Sequence, residues 1–215
     1  MHIELLVEDS SGARLIEDVI GRILGDQSAV LTWRIHSYKG LGRLPKGLVA
    51  SPDASKRILL DRLPSILRGY GKTPGVDWVV VVVDSDEKDC KIFLKELKGV
   101  VEKIIPQPQV LFRLAIEEME AWYLGDEAAV MGAYPNADKA VLKAYKQDSV
   151  CGTWEILANA VYKGGAAAVK SIGWPMAGEL KHEWAEKIAP RMDVETNLSP
   201  SFKKFRDGLR EIAAT

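Results

Sequence analysis

At 215 residues and 47% hydrophobic content, the chain suits one α/β domain with an added lobe and is too apolar to be disordered. Its formal net charge of -1 excludes a protein that binds polyanions through bulk charge, so any nucleic acid must be gripped by a local basic patch. Cys90 and Cys151 show no metal or disulfide spacing, which points to a reducing cytoplasm.

The opening MHIELLVE reads as a strand rather than a signal peptide, and no run is long enough to span a bilayer. Ile3 to Val7 is the first strand and ends in Glu8-Asp9-Ser10-Ser11-Gly12. A helix follows from about Ala13 to Leu24, with Leu15, Ile16, Val19, Ile20 and Ile23 at helical spacing and Ser10 or Ser11 as its N-cap. Val30 to Ile35 is the second strand. The loop after it, His36 to Leu48, is basic and glycine-rich but lacks the spacing of a P-loop. It reads either as a solvated surface loop or as a phosphate clamp carrying His36, Lys39, Arg43 and Lys46.

Asp53 to Gly69 has the pattern of an amphipathic helix, interrupted by Pro64. The unbroken valines Val79 to Val83 then mark a central strand of a parallel sheet, buried on both faces, with Asp84-Ser85-Asp86 at its end. A helix over Lys88 to Ile105, closed by Pro106 and Pro108, leads to a fourth strand, Val110 to Ile116. That strand ends in Glu117-Glu118-Met119-Glu120-Ala121-Trp122. The alternation predicts an α/β fold with a central, mostly parallel sheet of about four strands and flanking helices. Beyond Asp126 no strand-like run remains, so residues 1–126 read as the α/β domain and 127–215 as a helical lobe packed on it. Trp122 reads as a core anchor beneath the acids, Lys181-His182-Glu183 as a solvated helix face, and Ser199-Pro200-Ser201 as the opening of a last amphipathic helix.

Ligands of open α/β sheets bind beyond the carboxyl ends of the strands. Glu8, Asp84, Asp86 and either Glu117 or Glu120 would meet there. Such a set suits Mg²⁺ or Mn²⁺, which takes oxygen ligands, needs few carboxylates and leaves room for a phosphate.

In order and spacing, LLVEDSSGARLI, VVVVVDSDEKDC and AIEEMEAWYLGD resemble the Toprim-type catalytic fold. The nearest branch is the OLD-like nucleases, together with a small family of unknown function often encoded beside ATPases in bacterial, phage-defence clusters. The resemblance extends to His36 with its Lys-Gly segment and to Ser199-Pro200-Ser201-Phe202, so it touches most of the chain. It implies a Rossmannoid sheet and metal-dependent hydrolysis of DNA or RNA with one or two ions. Glu8, Asp84, Asp86 and Glu120 would be the catalytic and metal-binding residues, with Glu117 a further metal ligand. It also implies an ATPase partner and a cytoplasmic location, and leaves a homo-oligomer open. Two departures stand out: Asp9 and Gly12 occupy the places where the family has glycine and a further acid. The basic residue expected near the scissile phosphate has Lys39, Lys139 and Lys163 as candidates. Two other readings compete: a non-catalytic subunit with a degenerate metal site, and a receiver-like switch phosphorylated on Asp84.

Overall fold

The computed structural model describes residues 1–26, 30–45, 47, 57–149 and 151–215. Four parallel strands form one sheet in the order β2-β1-β3-β4: β1 (His2–Val7), β2 (Thr32–Ser37), β3 (Trp78–Asp84) and β4 (Val110–Ala115). The crossovers are α1 (Ser10–Leu24), α2 (Leu59–Tyr70) and α3 (Cys90–Val101), which gives a Rossmann-like α/β arrangement. After β4 come seven helices: α4 (Glu120–Leu124), α5 (Glu127–Ala133), α6 (Lys139–Ala144), α7 (Thr153–Val161), α8 (Gly165–Ile172), α9 (Trp174–Lys187) and α10 (Pro200–Ala213). No helix among the described residues is long and apolar enough to cross a membrane.

The valine run follows from the position of β3 between two strands with a covered face on each side. Val80 and Val82 join the core with Ile3, Leu5 and Val7 from β1. Val79, Val81 and Val83 face the opposite core, with Leu6 and the apolar sides of α2 and α3. Both faces must then be apolar at every position, which removes the usual alternation. The first of these cores is continuous with the second half of the chain: Trp122, Trp184, Phe202 and Phe205 belong to it, and α9 and α10 pack against α1. Trp122 is fully buried as expected, stacked on Phe205 at 5.0 Å and edge-on to Phe202 at 5.5 Å.

Several boundaries differ from the sequence reading. β2 begins and ends two residues later, because Thr32–Ser37 pairs with His2–Val7 in register, and Val30 lies in an exposed turn. His36 is therefore within the strand and not in the loop. Asp9, rather than a serine, caps α1: its carboxylate accepts the Gly12 N–H at 2.7 Å and the Ser11 hydroxyl at 3.0 Å. Asp89 likewise caps α3, so that helix starts later than Lys88 and ends at Val101, short of Ile105. The first part of the helix expected from Asp53 lies outside the described residues, and α2 is seen from Leu59 with Pro64 inside it.

The stretch EAWYLGD is a structural hub. The backbone carbonyl of Trp122 accepts from buried Asn197 Nδ2 at 2.8 Å, and Asp126 caps α5 through Ala129 N at 2.9 Å while also accepting Asp193 N–H at 2.7 Å. A Cβ at Gly125 would stand 2.2 Å from Asn197 Oδ1 and 2.9 Å from Ser199 N. Gly125→Ala is therefore expected to destabilise the protein by about 1–3 kcal/mol. Gly99→Ala, within α3 and with no atom in reach of the new methyl, is expected to stabilise by roughly 0.5–1 kcal/mol. Urea midpoints of the two variants check this; equal effects would show that the region around Asn197 yields.

Candidate functional site

The carboxyl ends of β1, β3 and β4 lie side by side, with Val7 opposite Val82 and Asp84 opposite Ala115. Glu8 follows β1 directly, and its Oε2 accepts the backbone N–H of Asp84 at 3.2 Å. Ser85 ties the next pair of turns together. Its N–H donates to Ala115 O at 3.0 Å and its Oγ accepts the Glu117 N–H at 2.8 Å, while Asp86 N–H donates to Glu117 O at 2.9 Å. The turns after β3 and β4 are thus held as one unit, with Asp86 and Glu117 both at positive φ, 46° and 62°.

Three predicted carboxylates gather in this notch. Glu8 is half-buried, Glu120 opens α4 and is 3% exposed, and Asp84 has an Oδ1 sealed from solvent with no hydrogen-bond partner. Burial is the main reason that their acidities fall. Glu8 is pushed up to about 7, further raised by Asp86 and Asp9. Glu120 is also pushed up to about 7, by burial first and then by Glu118 and Asp9 against the pull of Lys181. Asp84 lies well above the usual carboxylate range, raised by burial and then by Glu8 and Glu120.

The group that balances them is Lys181, on α9. Its Nζ lies 2.8 Å from Glu118 Oε1 and 3.3 Å from Glu120 Oε2. Burial alone would lower the pKa of Lys181, but Glu120, Glu118 and Asp84 outweigh it and hold the ammonium charged. One lysine does not neutralise Glu8, Asp84, Glu118 and Glu120 together, so the notch favours an added proton or cation.

The expectation of a solvated face at Lys181-His182-Glu183 is corrected for Lys181, which enters the acidic notch; His182 is exposed, with Nε2 2.9 Å from Ser10 Oγ, and the partly exposed Glu183 accepts the Tyr134 hydroxyl at 2.9 Å. A signal was present. Ala177, Leu180, Trp184 and Ile188 are buried, and Lys181 falls on the same stripe, where a lysine has to find partners. Lys139 and Lys163, the cations named in its place, are exposed on α6 and in the turn after α7.

The remaining predicted residues are placed differently. Asp86 is at the exposed rim, 2.9 Å from Lys88 Nζ. Glu117 faces the start of α7, where its carboxylate accepts the N–H groups of Gly152 and Thr153 and the Thr153 hydroxyl, the last at 2.8 Å. His36 Nε2 lies 2.6 Å from Glu4 Oε2 and 3.4 Å from the Tyr70 hydroxyl, one residue before the end of β2. Lys39 and Arg43 are exposed, and Arg43 N–H donates to Asp61 Oδ1 at 3.0 Å. Lys46 lies outside the described residues. An open depression of about 530 Å³ lined by Asp86, Glu87, Lys88, Glu117 and Glu118 adjoins the notch.

Among the described residues no group of three or more His, Cys, Asp or Glu side chains is placed to hold a metal ion. The donor set still suits a hard divalent ion, because such an ion needs only one or two carboxylates and the sealed Asp84 oxygen lacks a partner. At Gly12, the place of the further acid in Toprim-type proteins, a Cβ would meet Met119 Sδ at 2.5 Å, so methionine fills the space that such a side chain would need.

Residues 7–210 match the family model described as "Domain of unknown function (DUF4276)". No curated protein and no solved structure matches the chain.

Proposed function

We propose that this chain, which belongs to the DUF4276 family, is a metal-dependent nuclease of Toprim type that hydrolyses phosphodiester bonds at the notch of Glu8, Asp84 and Glu120. The observation that carries this reading is the sealed, unpartnered Asp84 Oδ1 beside two further carboxylates held near half-protonation at neutral pH. A fold does not keep like charges together underneath its surface without a task for them.

Glu8 and Asp84 would hold Mg²⁺ or Mn²⁺, with water filling the remaining positions. The bound ion supplies Lewis-acid stabilisation of phosphate oxygens. If Asp84 alone held the ion, Glu8 would be the group to take a proton from the attacking water. Glu120 and Glu118 hold the Lys181 ammonium at the edge of the notch, where it meets the charge that develops on the phosphate. The resemblance assigns a basic residue to this role, and Lys181 takes it here in place of Lys39, Lys139 or Lys163. The filled space at Gly12 favours one ion over two. Regulation by an ATPase partner and a role in phage defence belong to the same proposal and rest on the resemblance.

The test is cleavage of plasmid, single-stranded DNA and total RNA with Mg²⁺ or Mn²⁺, with Glu8→Ala and Asp84→Ala beside the wild type. Metal-dependent cleavage lost in both variants is the expected result. Cleavage that survives either substitution would remove the assignment.

A further inference from the structure

We infer that the flank of the notch carrying Lys39, Arg57 and Arg62, with Arg34 on the neighbouring strand, is the track along which the phosphodiester backbone of a nucleic acid lies. The nuclease reading supplies the identity of the polyanion; the location rests on geometry alone.

The loop after β2 is stitched directly to the acidic turn. Gly40 N–H donates to Glu8 O at 3.0 Å, and Tyr38 N–H to Val7 O at 3.0 Å. The same loop is bonded to the start of α2: Lys39 N–H to Arg57 O at 3.0 Å, Leu59 N–H to Gly40 O at 3.1 Å and Leu60 N–H to Leu41 O at 2.8 Å. Arg57 also returns to β2, donating from its guanidinium to Ser37 O at 2.8 Å. These bonds fix the loop backbone between Glu8 and the start of α2.

The charges on this flank are unspent. Lys39, Arg34 and Arg57 are exposed, Arg62 is half-exposed, and none of them makes an ion pair among the described residues. Tyr38 and Tyr70 lie half-buried on the same side of the sheet as this flank, packed against the core of α2 and α3. In a chain of net charge -1, Lys39 and Arg57, on the segments bonded to the Glu8 turn, are complementary to phosphate groups, while Arg34 stands opposite Glu4 in the sheet register. This revises the expected clamp. His36 is engaged with Glu4, and Arg57 and Arg62 join Lys39 in its place.

The experiment is anisotropy of a short fluorescein-labelled DNA and of an RNA of the same sequence, titrated with full-length protein in EDTA at several salt concentrations. Arg62→Gln, Lys39→Gln and the double variant are compared with Lys139→Gln and Lys163→Gln, and thermal midpoints confirm folding. The expected result is a loss of about tenfold or more in the double variant. The slope of log affinity against log salt should become shallower by about 0.7–0.9 for each phosphate contact removed. The two comparison variants should bind as the wild type does. Flank variants that bind normally, comparison variants that lose as much, or a wild type that binds neither nucleic acid would overturn the proposal. Polyglutamate bound as tightly as nucleic acid would also overturn it and assign the flank to an acidic protein partner. Flank-dependent binding without cleavage would leave the track standing and count against the nuclease reading; cleavage unaffected by flank variants would do the reverse.

Discussion

Lys181→Met is expected to destabilise the protein at pH 8 by about 3–5 kcal/mol, the usual consequence of removing one partner from a buried ion pair. The Lys181, Glu118 and Glu120 side chains are only 18%, 17% and 5% exposed, so solvent does little to screen the carboxylates left behind. At pH 5 the loss should be much smaller. Glu120 already lies at about 7 in the presence of the lysine, and removing the lysine raises it further, so Glu120 carries a proton at pH 5; Glu118 is shifted in the same direction. A carboxyl group whose folded pKa exceeds its unfolded value binds more protons in the folded state. Stability then falls as pH rises from the unfolded pKa, 4.5 for glutamate, through the folded one, about 7 for Glu120 in the wild type. Urea midpoints at the two pH values check this. A loss of equal size at both would mean that Lys181 contributes through its methylene packing and not through its charge.

Asp84→Asn is expected to move stability and activity in opposite directions. Without divalent cation at pH 8, the variant should be more stable than the wild type by about 1–2 kcal/mol, since it removes a charge repelled by Glu8 and Glu120. The gain should shrink as pH falls towards the unfolded aspartate value of 3.8, because the native carboxyl group then carries a proton and is equally neutral. On the nuclease reading, cleavage should drop by about 10²–10³-fold. Thermal midpoints in EDTA and in Mn²⁺ test both halves: Mn²⁺ should stabilise the wild type and leave the variant unmoved. A variant less stable than the wild type in EDTA would show that Asp84 holds structure instead.

The sheet was legible because its chemistry is local. Five valines in succession fit a strand with two covered faces, and the acids after Val7, Val83 and Ile116 are adjacent to the strands that carry them. What was hidden depends on pairings across the chain. The extent of β2 is set by its register with β1, which moved His36 into the sheet and towards Glu4. Glu117 and Glu120 look equivalent in sequence, yet one is spent on the amides of Gly152 and Thr153 and the other faces the notch. Arg57 and Arg62 precede and open α2 with nothing in their neighbours to mark them; only the bonds from Gly40 to Glu8 and Leu59 tie the start of that helix to the acidic turn. Lys181 was the one distant residue with a local sign, a charge on an apolar stripe.

That lysine also sets an order in time. The chain makes every strand of the sheet before it makes residue 181. While it is being synthesised, Glu8, Asp84 and Glu120 emerge with no ammonium group to balance them, and their mutual repulsion opposes closing of the notch until α9 has left the ribosome.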